Sequence, residues 1–500
     1  MSGGEPVSAE PWTEGGCAAI AGRARPRAVI PRLGVGAVFI PALEPLFLQP
    51  GLVDVLELEP QTLWHRARGR GPRYRLNQRA FETIAALPQE KIVHGVGFPI
   101  GGSIPADPAA VPPFVQSIGA LHARWASEHL SFNEFGDPTC PTNAGFLLPP
   151  CQTEEGIAIA VRRIQALQAR LPVPFAFETG VNYLRPQTWE CSDGEFFARI
   201  AEEADCGILL DLHNLYANER NGRSRVRDVL ARLPLDRVWE IHLAGGEELD
   251  GYWLDAHSGI IPEPVIETAG DIVPKLSRLG AIVFEILPAY AVRLGRDRVA
   301  REIERARTLW ALGERAGQAD PRARRVRVHT RSGRRGVAPR PAEWENAIGT
   351  LLARHGPSTA FPAILERDPG LGVLRTLVGD ARSGRIAAAL RLTTTLLILV
   401  SGLPGLRALI DAHAARRAPS LFALNEADAF ARYLKRREVP VPYLGDVLDF
   451  EHALIRAALY GTGTTVRFHR DPAAVLGALY DGQLPESPAT GTYVVEVEPT

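Results

Sequence analysis

Between Glu57 and Glu285, acidic and imidazole side chains recur at the ends of short apolar runs. Glu57 and Glu59 close VDVLELE, His94 lies in KIVHGVG, Glu128 and His129 follow RWAS, and Glu178 closes VPFAFE. Asp211, His213 and Asn214 follow CGILL, Glu240 and His242 punctuate RVWEIHL, Asp255 and His257 lie in LDAHSG, and Glu285 closes AIVFE. One such residue is ordinarily a hydrogen-bonded core group. Several together are a different matter, because buried carboxylates without partners are costly and call for cations. Carboxylate with imidazole suits iron, manganese or zinc. The candidates outnumber one ion's shell, so two or three ions are expected. In a strand, residues i and i+2 share a face. The D-x-H pairs Asp211–His213 and Asp255–His257, and the E-x-H pair Glu240–His242, could therefore each serve one ion, or one member could orient the other.

These residues need a scaffold that aims them at one point. Eight strand-like runs, near 32–39, 53–59, 91–97, 124–130, 173–178, 206–212, 237–243 and 281–286, alternate with helical stretches. Thr153 is the expected N-cap of the helix after the fourth run. Repeated strand–helix units imply parallel sheet, and eight of them fit a closed (β/α)8 TIM barrel, whose sites lie at the C-terminal ends of the strands. An open doubly wound sheet is the alternative, but no G-x-G-x-x-G fingerprint is present. The expected organisation is a loose lead over 1–30, a metal-binding barrel over 31–314, an Arg/Pro/Gly-rich linker over 315–340 and a mainly helical region over 341–500. That last region has enough apolar helix for a core of its own, so a cut at residue 340 is expected to leave a soluble barrel. Its histidines, His355, His413, His452 and His469, are scattered and suggest no second metal site.

The 500 residues, 46% hydrophobic, exceed a single core, and the net charge of -1 provides no field for nucleic acid or an anionic membrane. The linker is rich in arginine but lacks aromatics for base stacking. Five cysteines without a C-x-x-C pair suggest a reducing compartment, and the polar, acidic start is unlike a signal peptide, so a cytoplasmic location is expected. The apolar stretch Leu392–Leu406, broken by Gly402, Pro404 and Gly405, is too short to span a bilayer and reads as a buried helix. A homodimer is compatible with all of this.

HGVGFPIGG, SEHLSF, LLDLHNLYAN, WEIHLAGG, DAHSG and FEI resemble the DUF692 family over about residues 32–310. The resemblance implies a xylose-isomerase-like barrel holding two or three iron ions. It implies dioxygen-dependent oxidation of a ribosomally synthesised precursor peptide, typically at cysteine, with a partner protein holding the peptide. Carried onto this chain, it makes Glu59, His94, Glu128, Glu178, Asp211, His213, His242, Asp255, His257 and Glu285 metal ligands, with His129, Asn214 and Glu240 supporting them from outside. Three departures stand out. ELEPQTL puts Glu59, Gln61 and Thr62 where the family has His, Glu and Asn; Gly246 replaces a histidine; and His213 replaces an asparagine, where it could offset the lost imidazole. FARYLKRREVPVPYLGDVLDFEHAL followed by VRFHRD is similar to the partner-type domain, through Phe430, Tyr433, Leu434, Tyr443, Leu444, Phe450 and Glu451. Peptide recognition would then be fused in cis. Two other functions stay open: a redox-neutral metal-dependent isomerase or phosphodiesterase on the same barrel, and a non-catalytic peptide-binding protein.

Overall fold

The structure, a computed structural model, describes residues 29–68, 72–317, 337–353 and 362–498. Most of the expected lead and of the linker lies outside them, as does Cys17. Cys140, Cys151 and Cys206 are free.

Eight parallel strands close into a barrel in sequence order: β1 Gly34–Val38, β2 Val55–Leu58, β3 Glu90–Gly95, β4 Ala126–His129, β5 Phe175–Glu178, β6 Gly207–Asp211, β7 Val238–Ala244 and β8 Ala281–Glu285. β8 returns to β1 with Gly34 opposite Ala281. The eight runs read from the sequence are these strands, and the open sheet is excluded. β2, β5, β6, β7 and β8 are buried throughout, as strands covered on both faces must be. Helices such as Val111–Leu121, Glu154–Gln168, Asp193–Glu203 and Arg296–Gly317 pack outside, and their apolar faces join the outward strand residues in the main core. Thr153 caps its helix by accepting a hydrogen bond from Gly156 N at 3.1 Å. Inside the barrel, Val55, Ile92, Trp125, Ala281 and Val283 fill the floor.

Three hairpins interrupt the strand–helix alternation after β2, β4 and β7: Trp64–Arg66 with Tyr74–Leu76, Phe132–Asp137 with Cys140–Leu148, and Glu247–Leu249 with Tyr252–Leu254. They follow the C-terminal ends of their strands and so build up the rim that carries the site.

The C-terminal region is not the separable unit that the sequence suggested. Trp344, Ile348, Leu352, Leu365, Leu371 and Leu374 share one apolar cluster with Phe132, Phe135, Leu148, Tyr183 and Trp189 of the barrel loops. Glu345 accepts hydrogen bonds from Ser103 N at 2.8 and 3.0 Å. A core of its own begins only near Ile386, among helices Gly370–Ala389, Arg391–Ala414, Ala423–Leu434 and Leu444–Tyr460. Of the residues that carried the partner-type resemblance, Phe430, Leu434 and Leu444 are core. Glu451 caps the helix starting at Arg391, accepting from Leu392 N and Thr393 N at 2.8 and 2.7 Å. The two late runs form an antiparallel pair, Thr464–Arg470 with Thr490–Val497.

The apolar run at 392–406 is helical, and the helix breaks at Gly402 (φ 69°) but resumes to Ala414. It is buried on one side only: Thr393, Leu396 and Leu397 face the core, whereas Ile398, Leu399, Val400 and Leu403 are exposed. Helix Arg391–Ala414 is long and apolar enough to cross a membrane by length and composition alone, and 33% of its most apolar window is buried.

Candidate metal centre

Strand register assembles the site. Asp211 on β6 lies opposite His242 on β7, His129 on β4 opposite Glu178 on β5, and Ala244 on β7 opposite Glu285 on β8. Four triads each bring ligand atoms within 4.8 Å of one another: His94, His129 and Glu178; Glu178, Asp211 and His242; Glu57, Glu240 and His242; and Asp211, His257 and Glu285. Glu178, Asp211 and His242 each belong to two triads, so the four form one continuous cluster. Its spacings are those of ligands without their ion. His129 Nδ1 is 2.5 Å and His94 Nε2 3.1 Å from Glu178 Oε2. His242 Nε2 is 3.1 Å from Glu57 and Nδ1 2.9 Å from Glu285, whose other oxygen is 3.0 Å from His257 Nδ1.

Burial sets the electrostatics. Desolvation drives Glu57 and Asp211 well above the carboxylate range, with Glu240 adding to the effect at Glu57 and Asp255 at Asp211. Burial and Glu285 push Glu59 up to about 7. At Glu178 and Glu285 burial is outweighed by imidazoles, His129 for the first and His257 with His242 for the second, and both carboxylates are lowered. Burial opposes the charged form of His242 and His257 too, yet their carboxylate neighbours raise both.

The residues present fit a cation. Buried Glu57 Oε1, Glu178 Oε2, Asp211 Oδ2, His242 Nδ1, His257 Nε2 and Glu285 Oε2 lack hydrogen bonds, although several lie within ion-pair distance of one another. Orphaned atoms of this kind need an explanation, and a bound ion is one. Ligand carboxylates must be deprotonated. Metal uptake by the metal-free protein is therefore expected to release protons, since burial holds Glu57 and Asp211 well above the carboxylate range, and to weaken as pH falls. In the metal-free fold the sign reverses. Glu59 is protonated between its ordinary 4.5 and about 7 while the unfolded chain is not, so its contribution to stability declines as pH rises through that window. Calorimetry in buffers of different ionisation heat and pH-dependent melting check the two statements.

The other expected residues divide. Glu128 is buried, but its oxygens accept from Gly97 N, Phe98 N and His129 N at 3.1, 2.8 and 2.9 Å. It braces the loop after β3, while His129 converges on Glu178; the expectation had these two reversed. Glu240 does join a triad, and its other oxygen accepts from Trp125 Nε1 at 2.8 Å. Asn214 supports the site from outside, donating to Glu178 Oε1 at 3.3 Å. Half-buried Glu59 feels Glu285, His129, His257 and Glu178, but belongs to no triad.

The shared-face reading of D-x-H holds for neither pair. β6 ends at Asp211, which caps helix Leu212–Arg220 by accepting from Asn214 N at 2.7 Å, so His213 lies on a helix. Asp255 and His257 lie in a loop, with His257 at φ 44°. They still meet, His257 Nε2 lying 2.7 Å from Asp255 Oδ1. Only Glu240–His242 is a true i, i+2 strand pair. Glu57 was noted at its strand end but not among the expected ligands. Its alternation with Val55 and its place on β2 were the available signal, and the likeness at Glu59 drew attention away from it.

His213 replaces the imidazole missing at Gly246 in space but not in chemistry. A Cβ on Gly246 would lie 2.6 Å from His213 Nε2. Both ring nitrogens are engaged, Nδ1 with Asp255 at 3.2 Å and Nε2 with the Trp253 indole N–H at 3.0 Å. His213 thus orients Asp255 and belongs to none of the triads.

An eight-stranded parallel barrel with carboxylates and imidazoles converging at the C-terminal ends of its strands defines a barrel enzyme with a candidate metal centre. The chain belongs to the family described as RiPP precursor modification enzyme MbnB/TglH/ChrH, whose model matches residues 61–293. A UPF0276 protein of Anaeromyxobacter sp. is 31% identical over 217 residues, 43% of this chain and 75% of its own. A UPF0276 protein of Streptomyces avermitilis is 26% identical over 439 residues, covering 81% of this chain and 86% of its own. That alignment is longer than the barrel and must continue into the C-terminal region. Among solved structures, a D-psicose 3-epimerase from Clostridium cellulolyticum H10 is 12% identical with a TM-score of 0.35, over 57% of this chain and 99% of its own. The IOLI protein with a binding zinc atom is 11% identical with a TM-score of 0.34, over 56% of this chain and 98% of its own. At those scores neither bears on the chemistry here.

Proposed function

We propose that this barrel holds two or three iron ions and uses dioxygen to oxidise a ribosomally made precursor peptide, at cysteine. The supporting observation is the linked set of triads, in which Glu178, Asp211 and His242 are each shared and their buried donor atoms are left without hydrogen bonds. A single-ion site would need one triad. Iron with dioxygen supplies the oxidising chemistry. The chain's own residues hold the ions and keep the site dry. Glu57, Glu178, Glu240, Asp211, His94, His129, His242, His257 and Glu285 would be the ligands. Asn214, Ser127 and Glu128 fix their orientation, Ser127 Oγ lying 2.8 Å from His94 Nδ1.

The C-terminal region is proposed to hold the peptide, with the Thr464–Arg470 and Thr490–Val497 pair offering an edge to an extended segment. A redox-neutral isomerase would want a proton-transferring lysine or histidine near the metals; histidines are present there, whereas lysine is not among the residues of the triads. The chain has three lysines. Lys91 is the second residue of β3 and donates to carbonyls of the preceding helix and turn, Lys275 follows helix Glu263–Ile272, and Lys435 pairs with Asp449.

The test is metal analysis and oxygen uptake by protein purified and reconstituted without air. The expected result is at least two irons per chain and oxygen consumption with a cysteine-containing precursor peptide. Less than one ion per chain, or turnover with zinc or manganese and no oxygen uptake, would overturn the reading.

A further inference from the structure

A cavity of about 550 Å³ opens between the hairpin after β2, the loop after β3 and segment 417–425 of the C-terminal region, and none of the triad residues lines it. Three of its wall residues lie a few positions along the chain from strand-end residues of the site. Gln61 comes two positions after Glu59, Gly97 three after His94, and Asn133 four after His129. On the far side stand Leu421, Phe422 and Asn425. Asn425 is locked to the hairpin by two bonds with the main chain of Arg66, at 3.2 and 2.9 Å.

Three lining side chains are buried with unused hydrogen-bonding atoms. Gln61 is 6% exposed, Trp64 4% and Asn133 1%. Gln61 Oε1 and Nε2, Trp64 Nε1 and Asn133 Oδ1 have no partner. Buried polar groups are ordinarily paired, and these are neither helix caps nor members of a triad. They comprise two N–H donors and two carbonyl acceptors, all neutral. A peptide main chain presents that complement, one N–H and one C=O per residue. A carboxylate or phosphate would leave these acceptors unpaired, and the charged lining carries both signs, Arg66, Arg68 and Arg417 with Asp107 and Glu134. The space is within the range of small-ligand pockets, and the aromatic wall of Trp64, Tyr74 and Phe422 offers apolar contact. Gly97 keeps the inner end open, since a Cβ there would lie 3.3 Å from both Gln61 Cγ and Leu421 Cδ2.

We propose that this cavity seats the main chain of the substrate peptide next to the reacting residue, with Gln61, Trp64 and Asn133 reading its amides. The inference rests on the peptide-modifying reading and assigns positioning roles to three residues outside the metal cluster. Gln61 stands where the resembling family has glutamate, so the amide would be this chain's own adaptation.

The probe is acetyl-Gly-Cys-Gly-amide, titrated by ligand-observed NMR into full-length, iron-loaded protein without oxygen. Binding is expected, and it should be lost when the probe's main-chain nitrogens are methylated. Gln61→Leu and Trp64→Phe should each weaken it roughly three- to tenfold, the worth of one or two neutral hydrogen bonds. The methylation comparison needs no variant and stands even if a substitution disturbs folding. No binding to the wild type, equal binding of the methylated probe, or preference for a neutral sugar such as glucose would each overturn the proposal. Binding without oxygen uptake would count against the oxidative reading alone. Oxygen-dependent modification indifferent to Gln61 and Trp64 would count against the cavity alone.

Discussion

Asp211→Asn is expected to raise the melting temperature of the metal-free protein while removing at least one iron from the loaded protein. Asp211 is fully buried at the end of β6 and shared by two triads. Burial, with Asp255 and Glu178 beside it, works against its charge. Without an ion the carboxylate is therefore a liability, and a neutral amide of the same shape relieves it. The amide oxygen can still accept from Asn214 N, so the cap of helix Leu212–Arg220 survives. Once metal is present the sign changes. A ligand that binds the folded state at a thousand times its Kd stabilises it by about 4 kcal/mol, and the variant forfeits much of that gain. Turnover should fall by about a hundredfold or more, beyond the 10–100-fold typical of residues that only support ligands. Matched melting curves and iron analysis with and without added metal decide it. Equal iron content and an equal iron-induced shift in the two proteins would remove Asp211 from the ligand set.

The second large effect concerns the boundary at 340. A chain ending there is expected to be insoluble or to unfold without cooperativity. It would strip Trp344, Ile348, Leu352, Leu365, Leu371 and Leu374 from the cluster they share with Phe132, Phe135, Leu148, Tyr183 and Trp189. At about 1.5–3 kcal/mol per buried apolar side chain, the loss is of order 10 kcal/mol, comparable with a whole domain's stability. The exposed remainder would be a contiguous apolar patch at the barrel rim, an aggregation liability. The point variant Trp344→Ala isolates the effect, with an expected cost of about 3–5 kcal/mol. A soluble, monomeric 1–340 fragment melting like the full chain would show that the cluster contributes little.

The barrel was legible because most strands are short apolar runs, several of them β-branched, and the helices between carry ordinary punctuation, such as Thr153 before Glu154. The strand-end carboxylates and imidazoles were legible for a related reason: residues at the C-terminal ends of parallel strands in a closed barrel must converge. What the sequence did not convey is where a strand stops. Nothing local distinguishes Asp211 as the last strand residue from Asp211 as a helix cap, so His213 was placed on the wrong element. Nor does spacing tell which member of Glu128–His129 turns inward, because that depends on the backbone N–H groups of Gly97 and Phe98, some thirty residues away. The hairpins at the rim and the cluster built around Trp344 rest on long-range pairing, to which a local pattern is blind.

The crowding between positions 213 and 246 has a bearing on how such a site can change over generations. A side chain at 246 and an imidazole at 213 claim the same space, since even a Cβ on Gly246 would come within 2.6 Å of the His213 ring. Neither arrangement can be reached from the other by one substitution that keeps a histidine throughout. Adding the second ring first produces a clash, whereas removing the first leaves Asp255 with His257 as its remaining imidazole. A small residue at 213 would not by itself open position 246, since the same Cβ would lie 2.5 Å from both Leu254 O and Trp253 Nε1. A histidine placed at 246 alone is therefore expected to destabilise this protein, through the Leu254 main chain and Trp253 as well as through His213.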